Sequence, residues 1–462
     1  MSPRDGIIAE RPVPGVPRRY EFPETFRAEL ANGLRVVVTP MAGRELVAAT
    51  LAFRSGAADE PDEVAGASVL AARGLTEGTE VRDAIALTEA FERLGASMHA
   101  EAGWDAVSAG LDVPASRLEP ALELLAEVVR RPSFPASEVE RLRDERLNDL
   151  IQAKADPRRR AEEAFVSSIY AATSPYRRPS GGTAETVARL TPAELRSVHS
   201  GAYGPAGAAL VVVGDVDPDA VVAMAGRLFG DWAGGRASVP APDASSAVGE
   251  RFVRVVHRPG SVQSEIRIGH PGLPRRHPDY HAVAVMSMVL GGLFNSRLMA
   301  NLREAKGYTY GAYAGFDLRR GAGPFSARAA VNTEVTLPAI RELLAELERI
   351  REAPIGQDEL AAAQNYLVGV FPLRFETPGP VAGSLAGLFV HDLPDDELAR
   401  YRPAIEAVTA DEVLRVAREH VHPERCAIVL VGDHDQLGAD LEASGIAPVD
   451  VVLDDAGAGA GA

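Results

Sequence analysis

The chain has 462 residues, of which 46% are hydrophobic, so we expect a soluble globular protein with two or more domains. Its formal net charge of -17 argues against a nucleic-acid partner, and its single cysteine, Cys426, excludes an internal disulfide and a cysteine-based zinc cluster. Cys426 begins the apolar run CAIVLVGD, which predicts a buried strand cysteine. No apolar run is long enough for a membrane span or a signal peptide, so a cytoplasmic location is expected.

The first predicted elements lead from an extended arm to a short helix. Residues 1–26 are rich in proline and arginine and predict the arm. A strand is predicted within residues 31–42, and alternating apolar residues predict a second strand over 47–53. The acidic turn SGAADEP follows. A helix is expected next, because Val64, Ala67, Ser68, Leu70, Ala71 and Leu75 are spaced to bury one of its sides.

The segment from the second strand to Gly78-Thr79, AFRSGAADEPDEVAGASVLAARGLTEGT, resembles the start of the insulinase and pitrilysin family of zinc peptidases. In that family the helix carries an inverted His-x-x-Glu-His motif, whose imidazoles bind zinc and whose carboxylate activates a water molecule. With Gly66 and Gly78-Thr79 as anchors, Val69 and Arg73 stand at the two histidine positions and Ala72 at the glutamate.

None of these three side chains suits a zinc site. Valine and alanine have no donor atom, and arginine carries a permanent positive charge. The resemblance places the family's remaining ligand, a glutamate, at Asn148 or Asp149, and a lone Asp149 cannot hold zinc. We therefore expect the family's scaffold without its hydrolytic centre, with no metal or other cofactor in this chain and with zinc in a partner subunit.

The rest of the first half predicts alternating helices and strands. Helices are expected at 83–96, 116–132, 138–155 and 159–170, with strand residues over 99–114. The segment TPAELRSVHSGAYGPAGAALVVVGDVD (191–217) then predicts a helix with a capping box, a turn and a fully apolar strand.

That closing segment recurs near the end of the chain as TADEVLRVAREHVHPERCAIVLVGDHD, and matching Val211 to Val429 gives a period of 429 − 211 = 218 residues. Two other segment pairs agree with this offset within two residues, which indicates a duplication. The predicted fold is α+β, with two tandem homologous domains, each an antiparallel sheet backed by helices. The predicted divisions are an arm (1–26), a first domain (27–232), a linker (233–250), a second domain (251–452) and a disordered tail (453–462).

In the second half, LGGLFNSRLMANLREAKGYTYGAYAGF (290–316) closely resembles the family's C-terminal segment. There an arginine and a tyrosine seven positions later project towards the active site of the facing half or subunit. The resemblance assigns these roles to Arg303 and Tyr310, with Tyr308 as a competing phenol. The alternative is that Arg303 pairs with Glu304 or solvent and that Tyr310 is an ordinary strand aromatic.

Other positions are candidates for peptide or metal binding. The loop with Gly291 and Gly292 resembles one that contacts incoming peptide in the family's non-catalytic subunits, although a helix end explains it equally well. His99 stands on a strand that pairs with the substrate backbone in the family. His277 and His281 have i, i+4 spacing, but we expect His277 to lie at a helix cap instead of in a metal site. His420 and His422 have only Glu419 and Glu424 near them in the sequence.

The sequence therefore favours the non-catalytic subunit of a heteromeric zinc peptidase. The implied partner is a heterodimeric subunit of the same family with an intact His-x-x-Glu-His motif, and the implied substrate is an unfolded peptide. The alternative is a structural or peptide-binding scaffold with no role in hydrolysis. A third hypothesis, an active metallopeptidase, would need His99 or Asp149 to recruit distant histidines.

Overall fold

Two six-stranded sheets, one in each half of the chain, form the framework of the protein. The computed structural model describes residues 20–236 and 239–453. In the first sheet the strand order is β1-β2-β6-β3-β5-β4. Its strands are β1 (Phe26–Glu29), β2 (Arg35–Pro40), β3 (Leu46–Phe53), β4 (Ser97–Ala102), β5 (Val107–Pro114) and β6 (Ala208–Gly214).

Except for the helix Pro157–Ile169, the helices of the first half pack their apolar sides against this sheet and form one core with it. Helix α3 shows the pattern most clearly, since Leu118, Leu122, Leu125 and Val129 recur at helical spacing and are all buried. The helices are α1 (Ala67–Gly74), α2 (Ala84–Arg93), α3 (Leu118–Arg130), α4 (Ala136–Ala155), α5 (Pro157–Ile169), α6 (Ala184–Val187), α7 (Pro192–Ala202) and α8 (Pro218–Phe229).

The second sheet has the order β12-β7-β11-β8-β10-β9. Its strands are β7 (Phe252–His257), β8 (Gln263–Pro271), β9 (Ala312–Phe316), β10 (Pro324–Asn332), β11 (Ala427–Gly432) and β12 (Val449–Leu453). The helices are α9 (Tyr280–Ser287), α10 (Thr336–Arg349), α11 (Gln357–Val370), α12 (Pro378–Val390), α13 (Glu397–Ala407), α14 (Ala410–His420) and α15 (His434–Ala443), and two segments, Met288–Gly292 and Met299–Ala305, are π-helical.

Five strands of each sheet follow the same path, β2-β6-β3-β5-β4 in one and β7-β11-β8-β10-β9 in the other. The α+β class and the two tandem homologous domains are thereby confirmed. The sheets are mixed, however, because β2 pairs in parallel with β6, and β7 pairs in parallel with both β11 and β12. Long helical connections separate these strands, and such connections permit parallel pairing. The predicted antiparallel sheets are thus antiparallel in most of their strand pairs but parallel in these three.

The two halves exchange a helix. Helix α5 packs on β8 and β11 of the second sheet, where Ala161, Phe165 and Ile169 meet Val429 in one apolar cluster. Helix α12 in turn packs on β3 and β6 of the first sheet. Each sheet therefore has one face covered by its own half and the other face covered in part by its neighbour's helix, which ties the halves together.

The segments outside the two sheets also make contacts. Tyr20 and Phe22 pack against Phe375 of the second half. The predicted linker is fastened to the end of α5, because the Ala171 N–H donates to the Ser245 carbonyl at 2.9 Å. Most of the predicted arm (1–19) and nearly all of the predicted tail (454–462) lie outside the described residues.

Cys426 is buried, as the sequence predicts, but it directly precedes β11 and does not lie within the strand. Burial raises the pKa of its thiol to about 12. Among the residues that the structure describes, no helix is both long and apolar enough to cross a membrane.

Candidate functional site

The loop that leads into α1 is fixed by a buried carboxylate. Glu60 accepts hydrogen bonds from the main-chain N–H groups of Gly66, at 2.9 Å, and Ser68 at the start of the helix. Burial raises the pKa of Glu60, while these hydrogen bonds act in the opposite direction. Gly66 has φ of 98°, and a Cβ there would lie 2.8 Å from the Gly181 carbonyl oxygen. Glycine is therefore required at this turn.

A buried arginine holds the same loop from the other side. The Nε of Arg178 donates to Asp62 at 3.0 Å, and its Nη2 donates to the carbonyl oxygens of Ala57 and Glu60 at 3.2 and 3.1 Å. The Arg178 side chain is 7% exposed and that of Glu60 is 2% exposed. The acidic turn and the N-terminus of α1 are thus a rigid, internally paired unit.

Helix α1 buries the side that the sequence predicts. Ala67, Leu70, Ala71 and Leu75 are fully or almost fully buried in the first core. Of the three positions aligned with the zinc motif, Ala72 is buried in the core, and Val69 and Arg73 are half-buried one turn apart.

Arg73 forms an ion pair with α4. Its Nη2 lies 2.6 Å from Glu145 Oε2, and Glu145 Oε1 accepts from Arg141 at 2.6 Å. Arg141 also pairs with Glu77 at 2.6 Å and Glu138 at 2.8 Å. Arg141 and Arg73 hold the pKa of Glu145 below its usual value. A network of opposite charges therefore bridges α1 and α4 beside the aligned motif positions.

Asp149, one turn further along α4, is held by two arginines. Arg159 donates to its two carboxylate oxygens at 2.9 and 3.2 Å, and Arg146 donates to it as well. Arg159, followed by Arg146, lowers the pKa of Asp149. Asn148 is exposed to solvent. The carboxylate at the family's third ligand position therefore has cations as its partners.

These residues do not fit a zinc ion. A catalytic zinc site needs three protein donors, usually imidazole, thiolate or carboxylate, around an open position. The aligned positions offer a valine, an alanine and a guanidinium, and the nearby carboxylates Glu145 and Asp149 are already paired with arginines. The side chains at these positions of α1 and α4 therefore cannot form the ligand set of a catalytic zinc ion.

The second candidate site lies on the π-helical segment Met299–Ala305, which carries Arg303. The Arg303 guanidinium stands 4.7 Å from the centre of the Phe294 ring, and its Nε lies 3.4 Å from Glu304. The Arg303 side chain is 34% exposed, while Phe294 is 73% exposed. Arg303 is therefore oriented by an aromatic neighbour while remaining open to solvent.

Tyr310 follows this segment and lies two residues before the start of β9. It is 94% exposed, the highest value among the exposed large apolar and aromatic side chains of the described residues. Tyr308, the competing phenol, is half-buried and packs against the core. Of the two tyrosines, Tyr310 is the one that can extend fully towards another molecule.

Two glutamates of α10 hold the π-helical segment in place. The Asn301 amide donates to Glu342 at 3.0 Å and to Glu346 at 2.7 Å, and Lys306 pairs with Glu342 at 3.0 Å. Glu346 is 1% exposed. The contacts of Asn301 hold the segment before Arg303, and the contact of Lys306 holds it after Arg303. Sequence patterns could not reveal them, because the contacts with Asn301 join positions 41 and 45 residues apart.

Gly291 and Gly292 lie at the end of the π-helical segment Met288–Gly292. A Cβ at Gly291 would lie 2.1 Å from the Ala314 nitrogen of β9, and one at Gly292 would lie 2.4 Å from the Met288 methyl carbon. Packing on β9 accounts for Gly291, whereas Gly292 lies against the Met288 side chain of its own segment. A contact of theirs with peptide remains a prediction.

His99 lies on β4, the edge strand of the first sheet, and is exposed. Its ring occupies the space above Gly110, its partner across the strands. Among the described residues no further strand pairs with the outer edge of β4. An edge of this kind can accept an added peptide strand.

His277 and His281, which have i, i+4 spacing, lie beside different partners. Nε2 of His420 lies 2.7 Å from Asp279, which Arg415 also binds through two hydrogen bonds, and these partners lower the pKa of Asp279 to about 2. His277 packs beside His420 at the N-terminal end of α9, in agreement with the cap expectation. His281 faces Glu397 instead. The Asp279 carboxylate therefore forms an ion pair with Arg415 and also contacts His420.

Two family models match the chain: "Insulinase (Peptidase family M16)" over residues 35–180 and "Peptidase M16 inactive domain" over residues 189–367. An uncharacterized zinc protease of Mycobacterium tuberculosis is 27% identical over 410 residues, which cover 88% of this chain and 93% of that protein. A Helicobacter pylori protein named as a non-peptidase homolog is 23% identical over 346 residues, which cover 74% of this chain and 79% of that one.

Solved structures agree with the fold. A peptidase M16 inactive domain from Pseudomonas fluorescens superimposes with a TM-score of 0.83 at 26% identity, covering 88% of this chain and 98% of that one. A protease from Helicobacter pylori superimposes with a TM-score of 0.82 at 21% identity, covering 89% of this chain and 100% of that one.

Proposed function

Because the chain belongs to the insulinase family of peptidases, peptidase family M16, we propose that it is the non-catalytic subunit of a heteromeric metallopeptidase. A partner subunit with an intact His-x-x-Glu-His helix holds the zinc ion and carries out peptide hydrolysis. The observation that carries the proposal is the donor set on α1. Val69 and Ala72 offer no ligand, and Arg73 is paired with Glu145.

In this proposal Arg303 and Tyr310 contact the substrate in the partner's active site. A guanidinium and a phenol both donate hydrogen bonds, so they can bind a peptide carbonyl and the oxygen on which negative charge develops during attack. Tyr310 has almost all of its surface free for such a contact. Arg303 is oriented by the Phe294 ring, which reduces the freedom it loses when it binds.

The backbone around Arg303 also supports the proposal. Seven residues, Met299–Ala305, are π-helical, and π-helical turns are rare and frequent at functional sites. Asn301 and Lys306 anchor this segment to α10 on either side of Arg303. Such support is what a residue needs if it must meet a substrate at a fixed position.

The substrate in this proposal is an unfolded peptide. The free edge of β4 beside His99 can add the peptide backbone as a further strand, with main-chain hydrogen bonds that require no particular sequence. A folded protein could not present an extended segment to this edge.

A second candidate function is a scaffold that assembles with other chains and takes no part in hydrolysis. The relative named as a non-peptidase homolog favours it, as do the contacts of Arg303 with Phe294 and Glu304, which satisfy the guanidinium within this chain. Under this hypothesis Arg303 and Tyr310 are inherited surface residues.

Reconstitution separates the two functions. The purified chain, a zinc-bearing family member from the same genome, and their equimolar mixture are each tested on a fluorogenic unfolded peptide. We expect no cleavage by this chain and cleavage by the mixture, with activity that saturates at one chain per partner. The Arg303→Ala variant should form the complex without restoring cleavage.

Arg189→Ala is the matched control, because Arg189 is 71% exposed and pairs only across one helical turn with Glu185. It should restore activity as well as the unmodified chain does. A mixture that forms a complex but cleaves nothing, or whose cleavage is unchanged by Arg303→Ala, would favour the scaffold.

A further inference from the structure

A cavity of about 270 Å³ lies where the two halves and the linker meet. Its charged lining comes from separate segments of the chain. Arg54 follows β3, Arg276 precedes α9, Arg320 lies in the hairpin between β9 and β10, and His391 and Asp392 follow α12. Only the folded chain brings these groups together.

The cavity has an excess of positive charge. Three arginines line it against one carboxylate, Asp392, whose Oδ1 lies 3.1 Å from Arg54 Nη2. A second carboxylate, Asp59, lies 3.8 Å from Arg320 Nη1, too far for a hydrogen bond.

Two nitrogen atoms of lining residues, Nη1 of Arg320 and Nδ1 of His391, lack a hydrogen-bond partner among the described residues, but both are buried beneath the cavity surface. The rest of Arg320 is held firmly. Its Nη2 donates to the Pro240 carbonyl at 2.9 Å, and its main-chain N–H donates to Asp105 at 2.7 Å. Arg320 is therefore a fixed positive charge beside the cavity.

The charged groups at the cavity influence one another. Burial lowers the pKa of Arg54, Asp392 raises it, and Arg35 and Arg320 lower it. Burial likewise lowers the pKa of His391, with Arg320 again lowering it and Asp105 raising it. An anion among these groups would be attracted to all of the cations at once.

We propose that this cavity binds an oxyanion, either a phosphate ion or the C-terminal carboxylate of a peptide. Both present acceptor oxygens that match the planar fork of a guanidinium. The volume suffices for either group, and the exposed Arg276 supplies donors beside the positive charges of Arg54 and Arg320. This site is independent of the zinc-bearing partner and of Arg303.

Isothermal titration calorimetry on the full chain tests the proposal with three probes: inorganic phosphate, a short peptide with a free C-terminus, and the same peptide with an amidated C-terminus. We expect saturable binding of phosphate or of the free peptide, at one site per chain. Arg276→Glu should weaken it by at least about tenfold, since a charged hydrogen bond is lost and a repulsive charge is added.

Arg189→Glu changes the net charge equally at a remote, 71% exposed position and should leave binding unchanged. Arg276 is exposed and forms no ion pair within the described residues, so its variant should fold normally, which near-ultraviolet circular dichroism checks. A preference for the free over the amidated peptide identifies a carboxylate ligand, and binding of phosphate alone identifies phosphate. The proposal is overturned if none of the three probes binds saturably. It is also overturned if the Arg276→Glu and Arg320→Met variants bind as tightly as the unmodified chain does.

Discussion

Replacing Arg303 by alanine should separate the stability of this chain from its role in the proposed complex. Within the chain Arg303 has two contacts, the 73% exposed Phe294 ring at 4.7 Å and Glu304 at 3.4 Å. An exposed cation–π contact contributes about 0.5–1 kcal/mol, and a surface ion pair contributes about 0–1 kcal/mol. The variant should therefore lose about 1 kcal/mol of unfolding free energy, a fall in Tm of about 2 °C or less.

The expected effect on hydrolysis is much larger. Loss of one donor to the developing oxyanion typically lowers kcat by about 100- to 1,000-fold. Because such a contact strengthens only in the transition state, kcat and kcat/KM should fall by the same factor. Arg303→Lys should recover part of the activity, since it keeps the charge but lacks the planar fork.

The assay is steady-state cleavage of a fluorogenic peptide by the reconstituted complex, with thermal unfolding of the variant measured in parallel. Unchanged kcat with Arg303→Ala would refute the proposed contact. A fall in Tm well beyond about 2 °C that accounts for the lost activity would refute the stability argument instead.

Three further outcomes follow from the structure. Burial lowers the pKa of His270 to about 4, whereas its pKa in the unfolded chain is about 6.5. The stability that depends on the neutral form is therefore fully present above about pH 6.5. It should be lost as the pH falls towards 4, by up to about 3 kcal/mol. Urea unfolding at pH 7 and pH 4 measures this loss, which His270→Gln should reduce. Arg178→Met should cost about 3–5 kcal/mol, because it removes the hydrogen bonds to Asp62 and to the Ala57 and Glu60 carbonyls together with the cation 3.8 Å from the buried Glu60 carboxylate, and a cost below about 1 kcal/mol would contradict these contacts. Gly291→Ala should destabilise the chain by about 1–3 kcal/mol through its clash with Ala314, and an unchanged urea midpoint would disprove that contact.

Local patterns in the sequence predict much of the first site. The apolar spacing around Leu70 and Leu75 places the buried side of α1 correctly, and the capping box at Thr191 and Glu194 marks the start of α7. The repeated closing segment predicts the shared topology of the two sheets, because β6 and β11 occupy equivalent places in them.

Contacts between distant residues could not be predicted in this way. Nothing in the local sequence indicates that α5 and α12 cover the opposite sheets, since an amphipathic helix shows that it is buried but not against which partner. The same holds for the pair of Asp279 with His420 and for the charges that surround Arg320. The strand residues predicted over 99–114 belong to a hairpin in which a turn around Trp104 separates β4 from β5. The alternation of residue types continues through this turn, so the sequence pattern does not reveal it.

Metal analysis decides whether the first half of this chain can hold zinc. The purified chain is dialysed against zinc, then against zinc-free buffer, and its metal content is measured by inductively coupled plasma mass spectrometry. We predict no stoichiometric zinc, because the aligned positions on α1 lack donor atoms. One zinc per chain that persists after substitution of His277 and His420 but is lost in Asp149→Ala would contradict this prediction.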